Sequence, residues 1–136
     1  MESVQCLDNL EKTFVRLEEA LKEDNSDDLY IDGTIQRLKT TVEIYWKTLK
    51  RMLEEQGIEA KSSRETLKQA YAVDWIQNEQ SWLQMLHDRN ETSHVYDEEK
   101  ARNIYENIVG YFPEMKKTFT FLKEKYQEDR REPHDD

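Results

Sequence analysis

Glycine and proline are scarce in this chain, three and two among 136 residues. A β-sandwich or barrel needs many tight turns, and so few turn-formers argue against one. Cysteine occurs once, at Cys6, so no internal disulfide can form. That fits a reducing compartment, and a cytoplasmic location is expected. No apolar run approaches the length of a membrane span, and the start lacks a basic-then-apolar signal pattern. Common catalytic templates are missing too: there is no glycine-rich phosphate loop, no Cys-x-x-Cys, no His-Glu-x-x-His and no nucleophile elbow. His87, Asp88, Glu91 and His94 offer donor atoms without zinc or iron spacing, so neither a metal nor another cofactor is expected.

Charge is plentiful. Thirty acidic residues against twenty basic ones leave a net charge of −10. A field of that sign repels nucleic acid at long range, so a general nucleic-acid coat and DNA binding are not expected. It leaves open a local basic cleft or a basic protein partner. Hydrophobic residues make up 36% of the chain, low for a globular protein. That suits helices with one buried stripe each, or an oligomer that shares a core. The length is that of one domain, expected over residues 1–127.

The periodicity is helical throughout. Leu7, Leu10, Phe14, Leu17 and Leu21 recur at spacings of three and four, predicting a helix from about Glu2 to Glu23. Asn25, Ser26, Asp27 and Asp28 then interrupt it. A second helix follows to about Gln56, with Leu29, Ile35, Leu38, Val42, Tyr45, Leu49 and Met52 as its stripe. Gly33 lies inside it, a place for another helix to approach closely, and Gly57 suits its C-terminal cap. Ser62 to Glu65 read as a capping box for a short helix reaching about Val73. Asn78 can cap a helix that carries Trp82, Leu83 and Leu86 and bears Arg89 in its last turn. After a bend around Thr92 and Ser93, Asp97 can cap a helix with Ala101, Ile104, Tyr105, Ile108 and Phe112. Pro113 either kinks that helix or opens a sixth, and Met115, Phe119, Leu122 and Tyr126 continue the pattern. Beyond about Gln127 apolar residues stop, and residues 128–136 are expected to fray. The expected fold is all-α: an up-and-down antiparallel bundle of four principal helices plus a short one.

Paired carboxylates such as Glu18-Glu19 and Glu54-Glu55 fall on predicted solvent faces. The three tryptophans, Trp46, Trp75 and Trp82, read as core or interface anchors before base-stacking platforms. The stretch from Asp88 to Asp97 differs in kind. Transesterification at an RNA 2′-hydroxyl needs a proton carrier of near-neutral pKa, and imidazole is the natural one. It also needs a fixed cation against the charge developing at phosphorus, and guanidinium offers a bidentate fork. Arg89 and His94 supply both groups across one bend, and Asn90 can orient the histidine or donate to phosphate. Spacing alone carries little weight, because a surface ion pair and a helix cap would use the same residue types.

The run Arg89-Asn90-Glu91-Thr92-Ser93-His94-Val95-Tyr96 resembles the Arg, four residues, His, one residue, Tyr motif of the HEPN superfamily. The chain is more closely similar to its branch of nucleotidyltransferase substrate-binding proteins. Asp32 to Arg37, Tyr45 to Lys50, Ser63 to Glu65 and Trp82 to Asn90 resemble that branch in the same order, over about residues 5 to 126. The resemblance implies a helical homodimer with the Arg and His motifs of two subunits in a shared cleft. It implies a minimal nucleotidyltransferase as partner, with RNA or a nucleotide in the cleft. Some relatives are metal-independent endoribonuclease toxins, silenced when the partner transfers adenylate to the motif tyrosine. By that pattern Arg89 stabilises phosphate, His94 is the general acid or base, and Tyr96 is the modification target. The alternative within the branch is a non-enzymatic subunit that presents nucleotide or substrate to the nucleotidyltransferase. Lys47, Lys50 and Arg51 are candidates for local positive charge, or else the solvent face of the second helix.

Overall fold

A short polar side chain sets each helix start after the first. In the computed structural model, which describes residues 2–23, 27–94 and 97–131, the helices are α1 (Glu2–Lys22), α2 (Asp28–Glu55), α3 (Ser63–Ala72), α4 (Glu79–Glu91) and α5 (Glu98–Arg131). Among the described residues there is no strand. Asp27 Oδ1 accepts the Leu29 N–H at 2.8 Å, Ser62 Oγ that of Glu65 at 3.1 Å, and Asn78 Oδ1 that of Ser81 at 3.1 Å. Asp97 Oδ1 accepts from the Lys100 N–H at 2.7 Å. Each bond satisfies an N–H that the first helical turn leaves without a carbonyl. The Glu65 carboxylate completes the expected capping box one residue early, accepting from the Lys61 N–H at 3.0 Å.

The ends of α2 and α3 use one device. Gly57 takes a φ of 80°, its N–H donates to the Glu54 carbonyl, and the Ile58 N–H donates to the Leu53 carbonyl, both at 2.9 Å. This is a Schellman closure, in which the left-handed residue suits glycine. In α3 the left-handed position is Asp74, with a φ of 65°, and the Trp75 N–H reaches the Ala70 carbonyl at 2.8 Å. Asp tolerates that region better than most residues. The reversal sends Trp75 and Ile76 into the core.

The helices run up and down. Thr41 and Thr48 Oγ1 of α2, which donate to the Arg37 and Ile44 carbonyls of their own helix, also lie 3.4 and 3.3 Å from the Thr13 and Cys6 carbonyls of α1, so the two helices pack antiparallel. Lys116–Glu18 and Lys123–Glu11, both at 2.8 Å, set α5 antiparallel to α1. The buried Tyr45 hydroxyl donates to the Met115 carbonyl at 2.8 Å, tying α2 to α5. Phe14 of α1 stacks on Phe112 and Phe119 of α5, each 5.0 Å away between ring centres, and Tyr45 meets Trp82 of α4 edge-on at 4.7 Å. The central helix is therefore α2, which packs against every other helix.

Three details of the periodicity come out differently. Leu29 is 80% exposed rather than part of the α2 stripe. It precedes buried Ile31 by two residues, a rotation of about 200°, which places it on the outer face. Among the described residues nothing outside its own helix lies within 4 Å of where a Cβ on Gly33 would sit, so none of the described helices makes the expected close approach. Pro113 opens no sixth helix. It lies within continuous α5, on an exposed face, and the Val109 carbonyl it deprives of a donor belongs to a residue that is itself open to solvent. The backbone of α5 continues to Arg131, and the rest of the expected tail, 132–136, lies outside the described residues.

Candidate functional site

The last turn of α4 places consecutive side chains on opposite sides, as helical geometry requires. Asp88 points inward and is 2% exposed, while His87 is exposed, so these two do not converge. Among the described residues no group of three His, Cys, Asp or Glu side chains could hold a metal ion. Asp88 instead accepts four hydrogen-bond contacts. Its Oδ1 takes Gln84 Nε2 at 2.9 Å and Asn107 Nδ2 at 3.5 Å, and its Oδ2 takes Asn107 Nδ2 at 3.2 Å and the Tyr111 hydroxyl at 3.0 Å. The Tyr111 hydroxyl is held far above the ordinary tyrosine range, first by burial, then by the Asp88 charge and its hydrogen bond. Asp88 thus anchors the end of α4 to α5.

Arg89 leaves the same turn toward α2. Its Nη2 donates to Glu43 Oε1 in an ion pair, and its Nη1 donates to Asn90 Oδ1 at 2.7 Å. Asn90 therefore orients the arginine through its amide oxygen. The Arg89 Nε is buried and, among the described residues, meets no hydrogen-bond partner, leaving a donor of the guanidinium fork open. Glu43 also lies 3.7 Å from Lys47 Nζ, which brings one of the three candidate cations of α2 to the site. Lys50 and Arg51 pair with Glu54 a turn further along.

The bend follows directly. Thr92 Oγ1 donates to the Arg89 carbonyl at 2.7 Å, and Thr92–His94 form a single 3₁₀ turn. Lys100 of α5 reaches back to Glu91 at 2.6 Å and clamps the two sides of the bend. The backbone of His94 belongs to this turn. Its side chain, and Val95 and Tyr96 altogether, lie outside the described residues. Of the residues singled out from the sequence, Arg89 and Asn90 are thus brought into contact.

An acidic cluster closes the far side of the bend. Asp28, Asp32, Asp97, Glu98 and Arg102 line a cavity of about 190 Å³ between the starts of α2 and α5, and Arg102 pairs with Asp28 at 2.9 Å. The Glu98 carboxyl is held above the usual carboxylate range, first by a hydrogen bond shared with Asp28, then by the charge on Asp28. A raised folded-state pKa favours the folded protein below the ordinary carboxylate value, and that contribution disappears as pH rises through the folded pKa. Glu98→Gln should therefore melt above wild type at pH 7, with the advantage shrinking toward pH 4. A melting temperature difference independent of pH would contradict the shared proton.

No motif in the sequence marks Glu43 or the Asp88 network. Glu43 stands two residues before the Tyr45-Trp46-Lys47 stretch and is one acidic residue among thirty. The network left a faint trace in two polar pairs at helical spacing, Gln84 with Asp88 and Asn107 with Tyr111.

Comparison with known proteins places the chain. Residues 5–124 match the family described as nucleotidyltransferase substrate binding protein like. The chain belongs to that family, in the HEPN and nucleotidyltransferase substrate-binding branch. It is similar to the probable ribonuclease HepT of Haemophilus influenzae, with 30% identity over 107 residues, 75% of this chain and 73% of that protein. A crystal structure from Thermus thermophilus superposes with a TM-score of 0.78 at 29% identity, over 83% of this chain and 98% of that one. A Haemophilus influenzae structure described as the fold of a substrate binding domain of a nucleotidyltransferase gives 0.76 at 26%, over 86% and 98%. Among the described residues no helix is long and apolar enough to cross a membrane.

Proposed function

We propose that this protein is a metal-independent endoribonuclease, the toxin of a pair whose other member is a minimal nucleotidyltransferase. The observation that carries the reading is the Arg89 fork, held by Asn90 and Glu43 at the mouth of the bend that leads to His94. In this reading the RNA 2′-oxygen attacks phosphorus, the P–O5′ bond breaks, and a 2′,3′-cyclic phosphate and a 5′-hydroxyl result. His94 of one subunit takes the 2′-hydroxyl proton or returns one to the leaving oxygen. Arg89 turns from Glu43 toward the phosphoryl oxygens as negative charge grows there. Residues 1–127 form the working domain, and two copies pair so that their Arg89 and His94 groups face one cleft. The partner silences the enzyme by transferring a nucleotidyl group from a nucleoside triphosphate to the Tyr96 oxygen, with pyrophosphate leaving. The site of action is the cytoplasm.

The test is cleavage of total RNA in EDTA by wild type and by His94→Ala, with protein shown by mass spectrometry to be unmodified at Tyr96. Wild type should cleave, and His94→Ala should be slower by about a hundredfold or more. Equal rates in the two proteins would remove His94 from the chemistry. A second reading, a non-enzymatic subunit presenting nucleotide to the nucleotidyltransferase, is favoured by the relative described as a substrate binding domain. Under that reading unmodified wild type binds nucleotide and partner but leaves RNA intact.

A further inference from the structure

Two arginines in this acidic chain stand apart from the carboxylates. Arg16 of α1 and Arg37 of α2 meet across the α1–α2 seam, where Arg37 Nη1 donates to the Arg16 carbonyl at 3.2 Å. Among the described residues neither forms an ion pair, and nor does Arg64 on α3, whereas Arg51, Arg89 and Arg102 all do; Arg16 and Arg37 are the two that share a groove. Both are exposed and line a groove of about 260 Å³ with Thr13, Gln36 and Thr40, and no acidic side chain lines it. Two other cavities of the surface carry Asp28, Asp32, Asp97 and Glu98 in one, and Glu19 and Glu23 in the other. Arg37 borders the second of these yet pairs with neither glutamate. In a chain of net charge −10, two unpaired cations lining a groove that no carboxylate lines leave local positive potential that an anion can neutralise.

Position on the helix says which anion. Gln36, Thr40, Glu43 and Lys47, at spacings of four, three and four, follow one face of α2. Gln36 and Thr40 line the groove, while Glu43 holds Arg89. The rise from Thr40 to Glu43 is only about 4.5 Å, so the groove adjoins the candidate site along a single rigid element. An isolated phosphate would serve one of the two places. A strand with several phosphates serves both.

We propose that the α1–α2 groove is a phosphate-binding subsite for single-stranded RNA, carrying the strand away from Arg89 over the outer face of α2. The inference rests on the ribonuclease reading for its substrate, and it supplies the local cations that an acidic chain needs to hold a polyanion.

The test measures binding of a labelled oligouridine of about 12 nucleotides by fluorescence anisotropy across a salt series, in full-length His94→Ala protein. Arg16→Gln with Arg37→Gln should weaken binding by about tenfold and flatten the slope of log affinity against log salt by about 1.4. Gln36→Lys adds a cation to the groove and should tighten binding and steepen that slope by about 0.7. Because these variants shift the slope in opposite directions, loss of fold cannot mimic the result. Affinity and slope unchanged in both would overturn the subsite, as would His94→Ala protein that binds no RNA. If Arg89→Gln weakens binding while the groove variants do not, the subsite fails and the ribonuclease reading stands. If the groove variants behave as expected but unmodified wild type cleaves nothing, the ribonuclease reading fails and the subsite stands. Loss of binding to an acidic protein with RNA binding intact would assign the groove to that protein and overturn the RNA proposal.

Discussion

Arg89→Lys should cleave RNA about a hundredfold more slowly than wild type while melting within a few degrees of it. Lysine keeps the charge and can still reach Glu43, so the ion pair survives in some form. That pair contributes little to stability in any case, since both side chains are about one-third exposed, 28% and 32%. What lysine loses is the planar fork. Arg89 serves Asn90 through Nη1 and Glu43 through Nη2 and holds an Nε–H that no described residue accepts, and an ammonium cannot hold that set of directions at once. Removing one aligned donor from developing oxyanion charge slows an enzyme by about 10²- to 10³-fold. Arg89→Ala should therefore fall at or beyond the lower end of that range. Single-turnover rates at saturating RNA, read beside melting temperatures, separate the two effects. Arg89→Lys at the wild-type rate would show that charge alone suffices and that the fork geometry is irrelevant to the step.

The sequence revealed what local rules govern. Capping residues Ser62, Asn78 and Asp97 act through bonds to N–H groups three positions ahead, and Gly57 closes α2 through a left-handed turn, so a short window is enough to read them. The core stripes of α1 and α2 follow from the 3.6-residue period in the same way. Glu43 and Arg89 are 46 positions apart, and Asp88 and Tyr111 are 23 apart. No periodicity links such positions. Their meeting depends on α4 lying between α2 and α5, a matter of how apolar faces pair in three dimensions. Leu29 is the converse case: its apolar type suggests the core, but its angle around α2 turns it to solvent. The motif was therefore visible as a list of groups, while the partners that aim it were not.

Asp88→Ala should lower stability by about 3 kcal/mol, or roughly 10 °C in melting temperature. The carboxylate is the acceptor common to Gln84, Asn107 and Tyr111. Gln84 and Asn107 are exposed, so their amides can turn to water once the acceptor is gone. Tyr111 is 5% exposed and has no such outlet, so its hydroxyl becomes a buried donor without a partner, at a cost of about 1–3 kcal/mol. The space left by the carboxylate adds lost packing. Asp88→Asn is the milder change. It keeps one oxygen and the shape, the Asn107 amide can flip to meet the new NH₂ group, and the desolvation of a buried charge disappears, so the net loss should stay under about 1.5 kcal/mol. Tyr111→Phe removes the trapped donor itself. Because it removes the donor that Asp88→Ala leaves unmet, the double variant should be less destabilised than the sum of the singles by about 1–2 kcal/mol. Urea unfolding of the four proteins in that cycle measures the coupling, and additivity within about 0.5 kcal/mol would show that the two side chains do not act as one contact. The same cycle read by RNA binding asks whether the anchor also aims Arg89. Asp88 sits one residue before it on the same turn, so loosening α4 from α5 should weaken RNA binding in Asp88→Ala more than in Tyr111→Phe.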